Sequence, residues 1–322
     1  AESLLRTGRS FGRSIHALCN VHAMVSNGIA RKGEQSEEPE EAFTARERRE
    51  NKMFAALLKS LLGLEARLMA GDSEDILLIT TMLQKGSSSA RSEDIKILKS
   101  IILDWLVVPG DTLFPPMSAN VKADCGFRHD ATGALLCPVG IDWNNLEQKI
   151  KSGELKVSGE QWPIMVYASY TYNEDAPWKG LLQSSILLKV FRQIFTSRNG
   201  PRNIGMHTSL TSVTPASIAY AAVQARFALL SSAVFSRSNT VTDSEIFYNC
   251  VIDRLEAPDN IREVDCLLAW WNRLIFPDHT PISRLISKNS VLAKIKAKRM
   301  AIKLAALGNP ETLLHQLPDN ES

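Results

Sequence analysis

Residues 260–277 read NIREVDCLLAWWNRLIFP. Val264, Leu267, Leu268, Trp271, Leu274 and Ile275 recur at the three- and four-residue spacing of one helix face. The stretch therefore predicts an amphipathic α-helix with a buried stripe. Asn260 and Glu263 stand at the spacing of a capping box, in which side chains satisfy the free N–H groups of a helix start. Pro277 stops the helix, since it has no N–H to donate. Trp270 and Trp271 are adjacent and cannot both face one core. One of the two is expected to be a contact surface toward another helix or a partner.

The same rhythm runs outward from this helix. Ile15, Leu18, Cys19, His22 and Val25 predict a helix over 14–32. Thr44 and Glu47 form a second capping-box pair, opening a long helix through Met53, Phe54, Leu57, Leu58, Leu61 and Leu62, with Gly63 as its weak point. Asp72 or Ser73 caps the next, expected to end near Lys85-Gly86. Ser92 caps another, ending before Pro109-Gly110. Pro177 suits a helix start, and Leu181, Leu188 and Phe195 follow at equal intervals. Pro215 opens a helix over Ile218 to Leu230, and Thr242 with Glu245 caps one carrying Ile246, Phe247 and Val251. A last helix runs from about Ser290 to Leu307 and stops at Gly308-Asn309-Pro310.

Residues 109–176 break the pattern, with Pro109, Pro115, Pro116, Pro138 and glycines at 110, 126, 133, 140 and 153. The segment reads as loop-rich, with room for a short strand at Ile164 to Tyr170. The predicted fold class is mainly α, an irregular helical assembly with one loop-rich segment at about 109–176. The domain reading is a basic lead-in, helix and acidic linker over 1–42, a main helical domain over 43–277, and a basic C-terminal helix and tail over 278–322. No internal repeat is seen.

Hydrophobic residues make up 44% of the 322 and charged residues 22%, enough for a core and too apolar for wholesale disorder. The cysteines, Cys19, Cys125, Cys137, Cys250 and Cys266, are odd in number, widely spaced and free of CxxC. That favours reduced thiols, hence an intracellular protein, cytoplasmic or nuclear. The most apolar run, Ile95 to Val108, is cut by Lys96, Lys99 and Asp104, so no membrane span is expected. Arg6, Arg9 and Arg13 with Ser3, Ser10 and Ser14 give the first residues the look of a mitochondrial transit segment. The plainer reading is a disordered basic lead-in.

Two places carry chemistry. The first is 124–142, where Cys125, His129 and Cys137 are residue types that zinc prefers. Their spacing matches no standard finger, and a fourth ligand would have to be Asp130, Asp142 or His207. The plainer reading is two packing thiols and a polar loop histidine, so no cofactor is expected. A nucleophile pairing of Cys137 or Ser209 with His129 or His207 is open in space, but no G-x-S-x-G elbow, Walker A loop, GxGxxG or HExxH is present. The carboxylate pairs Glu174-Asp175 and Asp243/Glu245 read as a turn and as helix-start charges.

The second place is basic. Residues 279–310 hold seven basic side chains, among them Lys294, Lys296, Lys298, Arg299 and Lys303, and no acid. Removing those seven from the 37 basic residues of the chain leaves 30 against 35 acidic ones. A near-neutral protein is thus an acidic body with a cationic segment. Lys296, Arg299 and Lys303 fall on one helical side and could track phosphates; a solvated helix face is the plainer alternative. Without interleaved aromatics, base stacking is not suggested. The expected function is a non-enzymatic binding or scaffold protein contacting nucleic acid or an acidic partner, with a protein partner or self-association through Trp270 or Trp271. The alternative is an enzyme or metal-dependent site in 124–142.

The strings GFRHDATGALLCPVGIDW (126–143), PWKGLLQSSILLKVFRQIFTS (177–197), TSVTPASIAYAAVQARFAL (211–229), VFSRSNTVTDSEIFYN (234–249) and LLAWWNRLIFP (267–277) carry a resemblance. They look like a domain family of unknown function abundant in mushroom-forming fungi. The similarity covers about residues 14 to 277. It implies a fungal, intracellular protein of a multi-copy family, and implies no activity, ligand or catalytic residue. The resemblance also implies that position 125 is often not cysteine, which weighs against a three-ligand metal set. The basic helix lies outside it.

Overall fold

A computed structural model describes residues 1–33, 39–107, 112–118, 121–151, 157–196, 210–232, 243–277, 291, 294–295 and 298–299. The chain divides into two units, Ala1–Pro277 and Asp278–Ser322. Among the described residues the fold is mainly α, without a β-strand. The first unit holds α1 (Glu2–Ser14), α2 (Val21–Lys32), α3 (Ala45–Ser60), α4 (Leu64–Ala70), α5 (Ser73–Ile101), α6 (Asp130–Leu136), α7 (Trp143–Lys151), α8 (Ser185–Phe195), α9 (Pro215–Leu229), α10 (Asp243–Glu256) and α11 (Ile261–Ile275). No described helix is long and apolar enough to cross a membrane.

The N-terminal residues depart from the disordered lead-in expected of them. They form α1, which lies against α5 so closely that small residues are required at the crossing. A Cβ on Gly8 would stand 2.2 Å from the Leu83 carbonyl oxygen, and one on Gly86 would stand 2.2 Å from that of Leu5. Gly12 meets Ser87 in the same way. This contact also explains why the break expected near Lys85-Gly86 is absent. Gly86 costs helix propensity, but α5 runs through it for 29 residues because the missing side chain admits α1.

Two apolar clusters result. One gathers Leu4 and Phe11 of α1, Val25 of α2, Phe54 and Leu57 of α3, Leu68 of α4, and Ile79 and Leu83 from the first half of α5. The larger takes Ile95 and Leu98 from the second half of α5 together with α8 to α11. Its centre is α9, in which every residue from Ser217 to Leu229 is buried. A helix enclosed on all sides carries no polar stripe, and α9 is accordingly alanine-rich, with Gln224 and Arg226 as its long polar side chains.

Local signals fared unevenly. The Thr44/Glu47 box forms: the Glu47 N–H donates to Thr44 Oγ1 at 3.3 Å and the Thr44 N–H to Glu47 Oε2 at 2.7 Å. Gly63 adopts φ 79° and separates α3 from α4, and Asp72 caps α5 through the Asp75 N–H at 2.8 Å. The Asn260/Glu263 box does not form. A 3-10 turn at Pro258–Asn260 leads into α11, where Arg254 draws both residues away: Asn260 Nδ2 donates to its carbonyl at 3.3 Å and its guanidinium bonds Glu263 at 2.5 Å. Thr242 lies outside the described residues. A box passed over in the sequence stands at Thr214/Ser217.

The segment 109–176 contains α6 and α7 and several 3-10 turns rather than loop alone. At Ile164 to Tyr170 two 3-10 turns replace the strand. Isolated antiparallel bridges form at Pro163, with Pro138, and at Tyr167, with Leu181, but do not extend into a strand; Ser169 and Tyr170 both sit at φ 54°, outside extended geometry. Helix α8 begins not near Pro177 but at Ser185, with Ser184 accepting from the Leu187 N–H at 3.3 Å; Gly180 and Leu182 at positive φ hold the intervening residues in turns.

Candidate functional site

The most polar part of the interior joins α1, α5 and α9. Arg13 makes two hydrogen bonds to Asp94, at 2.8 and 2.6 Å, and both side chains are buried. The Tyr220 hydroxyl donates to Asp94 at 2.6 Å, and Gln224 Nε2 donates to Tyr220 at 3.1 Å and to the Arg91 carbonyl at 3.2 Å. Arg91 donates to the Ala17 carbonyl, and the Tyr248 hydroxyl accepts from the Ala17 N–H at 3.1 Å. Burial alone would lower the Arg13 pKa, but the hydrogen bonds and charge of Asp94 more than offset it and hold the guanidinium charged. Burial, and then Asp94, push the Tyr220 hydroxyl well up. The network is buried throughout and ties together the three helices from which its side chains come. Arg9 adds a bidentate pair to Glu93 at 2.7 and 2.8 Å. The arginines that gave the first residues their transit-like look thus include two that neutralise α5.

The three metal candidates are each engaged separately. His129 Nδ1 accepts from the Ala131 N–H at 3.1 Å and so caps α6, while Nε2 bonds the Pro115 carbonyl at 2.7 Å. Both ring nitrogens are thereby used, which fixes the tautomer with its proton on Nε2. The Cys137 thiol is buried and lies 3.3 Å from the Ile141 carbonyl. Burial, with a smaller effect from the Asp142 charge, pushes it up to about 11. A thiol in that state is a poor nucleophile near neutral pH. Cys125 is buried in the apolar core. Among the described residues no three His, Cys, Asp or Glu side chains converge as a metal ion would need. His207 and Ser209 lie outside the described residues.

Local packing explains why this stretch looked irregular yet folds. Gly133 leaves space for the Trp143 ring, which a Cβ there would meet at 2.2 Å, and Trp143 stacks on Phe127 at 6.2 Å. The missing side chain at Gly133 lets α6 lie against the Trp143 ring at the start of α7.

The two tryptophans differ in burial but pack on the same apolar cluster. Trp271 is fully buried, 5.1 Å from Phe191, and its indole N–H donates to the Leu182 carbonyl at 3.0 Å. Trp270 meets it edge-on at 5.8 Å and is only partly covered. In the C-terminal unit, Lys294, Lys298 and Arg299 are helical and exposed. Lys296 and Lys303 lie outside the described residues.

Two surface depressions were not anticipated. One, of about 360 Å³, lies between the start of α2 and α5 and is lined by Asn20, His22, Leu77, Thr80, Gln84 and Lys85 among others. Four of its polar residues are engaged in the fold: Asn20 caps α2, Gln84 accepts from the Val21 N–H, and His22 bonds Thr80. The other, of about 340 Å³, is walled by Trp162, Tyr167, Pro177 and Trp178. The exposed pair Pro177-Trp178 could have signalled it in the sequence; Trp162 and Tyr167 could not, because they join it only through the turns at 163–182.

No curated protein and no solved structure matches the chain. Residues 85–276 match the family described as Family of unknown function (DUF6698). That span covers more than half of the chain, from mid-α5 to the end of α11, and the protein therefore belongs to that family.

Proposed function

We propose that the protein is a non-enzymatic intracellular binding or scaffold protein, cytoplasmic or nuclear, that engages nucleic acid through its basic C-terminal helix. The observation that supports this is the exposure of Lys294, Lys298 and Arg299 on helical backbone, within a span of seven basic residues and no acid. Cations spaced along a helix neutralise phosphates and release counterions, so affinity arises without base contacts. An acidic protein surface is the alternative partner. Self-association through the Trp270 side of α11 belongs to the same reading, as does origin in a multi-copy fungal family. The enzyme or metal alternative in 124–142 is not proposed, because the buried Cys137 thiol and the doubly bonded His129 favour a structural role.

The test is a fluorescence titration of the full chain with a labelled DNA duplex and a labelled RNA strand at two salt concentrations. Three phosphate contacts would weaken binding roughly 40-fold between 50 and 200 mM salt, from a slope of about −0.9 per contact. Replacement of Lys296, Arg299 and Lys303 by alanine should abolish most of the affinity. Negligible binding at low salt, or an unchanged triple variant, defeats the nucleic-acid reading.

A further inference from the structure

The groove beside α10 and α11 has the chemistry of a peptide site. Trp162, Tyr167, Pro177 and Trp178 bring four rings to one depression of about 340 Å³. Its inner wall is rigid: the Tyr167 hydroxyl donates to the Pro177 carbonyl at 2.9 Å, Tyr167 packs edge-on to Tyr172 at 5.4 Å, and Trp162 packs edge-on to Phe247 at 6.3 Å. Its outer wall is not covered, since Trp178 is 57% exposed. The backbone that builds it is costly. Ser169, Tyr170 and Leu182 all sit at φ between 54° and 57°, a region that side-chain-bearing residues avoid.

Two polar features narrow the occupant. Neither indole N–H, of Trp162 or of Trp178, is hydrogen-bonded among the described residues, whereas that of Trp271 is. Each is a donor-only group that can serve a carbonyl oxygen. The surroundings are acidic: Glu174 and Asp175 stand on the turn leading into Pro177, and Asp259 precedes the groove residue Asn260. All three are exposed and enter no ion pair among the described residues, with Lys179 and Arg262 the nearby opposing charges in sequence.

We propose that this groove binds an extended, proline-containing segment of a partner protein that carries a flanking basic residue. A polyproline II strand has no internal hydrogen bonds, so its carbonyls are available to the indoles, and its rings lie flat on aromatic faces at low ordering cost. The acidic turn supplies charge complementarity for the basic flank. A bare ammonium group fits less well. Arg254 lines the groove and is bonded to Glu263 at 2.5 Å, so an inserted cation would meet a like charge whose carboxylate partner is already engaged.

The experiment titrates the full chain with a synthetic peptide of alternating proline and leucine that begins with arginine, read by tryptophan fluorescence and confirmed by calorimetry. Saturable binding is expected, with at least a tenfold loss on W178A, partial retention in W178F, and a several-fold loss when Glu174 and Asp175 become glutamine and asparagine. Circular dichroism of W178A checks the fold; the side chain is exposed enough to remove without disturbing the core. The same peptide with alanine in place of proline should not bind. Equal binding of that control, no saturation at millimolar peptide, or a response to tetramethylammonium chloride in place of the peptide would each overturn the proposal.

Discussion

Replacing Gly86 by alanine sets two physical effects against each other at the α1–α5 crossing. In an isolated helix the change stabilises by about 0.5–1 kcal/mol, because alanine loses less backbone freedom. At this crossing the new Cβ would stand 2.2 Å from the Leu5 carbonyl oxygen and 3.1 Å from both Arg9 N and Gly8 Cα, where ordinary contact begins near 3.4 Å. Helix α1 must therefore retreat by about 1.2 Å. A gap of about 0.5–1 Å already forfeits a quarter to half of each dispersion contact, and this one is larger; overpacking of this kind costs about 1–3 kcal/mol. The net expectation is a loss of about 1–2 kcal/mol and a fall of a few degrees in Tm. Urea unfolding followed by far-UV circular dichroism measures it, with the exposed Ser92→Ala on the same helix as a propensity control. If Gly86→Ala raises stability as the control does, the helices do not cross as closely as described and the reasoning fails.

Two further outcomes follow from the interior. Asp94→Leu leaves Arg13 buried without its partner, which should cost about 3–5 kcal/mol, whereas the double change Arg13→Met with Asp94→Leu should recover part of it, the Tyr220 hydroxyl still lacking its Asp94 acceptor; denaturant midpoints of the unchanged protein, Arg13→Met, Asp94→Leu and the double variant decide between a true pair and two independent sites. The Cys137 thiol, pushed up to about 11 mainly by burial, should be thiolate in only about one molecule in a thousand at pH 8. Iodoacetamide should therefore label the exposed Cys266 well before Cys137, by peptide mass spectrometry, and equal rates would count against the burial. Because the folded value lies above the ordinary 9.0, the thiol's contribution to stability is intact below about pH 9 and drains away as pH rises toward 11.

Helix type was legible where apolar residues kept one period and a polar residue capped the start, as at Thr44 and Asp72; in α11 the period alone sufficed, since its capping box does not form and Leu274 of its stripe is exposed. What escaped were contacts between segments distant in the chain. Gly86 reads locally as a helix breaker, and only α1, some eighty positions earlier, turns it into a packing residue. Arg9 and Arg13 read as a basic leader until Glu93 and Asp94 are placed beside them. His129 and Cys137 look like ligands because their chemistry is visible in sequence, while the Pro115 and Ile141 carbonyls that occupy them are backbone groups with no signature. The aromatic groove was hidden for the same reason: positive φ at Ser169, Tyr170 and Leu182 folds its walls together, and none of those residues advertises that conformation.

The Arg13–Asp94 pair bears on where this protein could be divided. The family match opens at residue 85, inside α5, so its boundary cuts a continuous helix and separates Asp94, Tyr220 and Gln224 from the cation they were built around. Excised at that boundary, the matched segment would keep a buried carboxylate with no counter-charge and an Arg91 deprived of the Ala17 carbonyl. The matched span is thus shorter than the packed body that contains it, and α1 acts as a splint that completes the polar interior of that span.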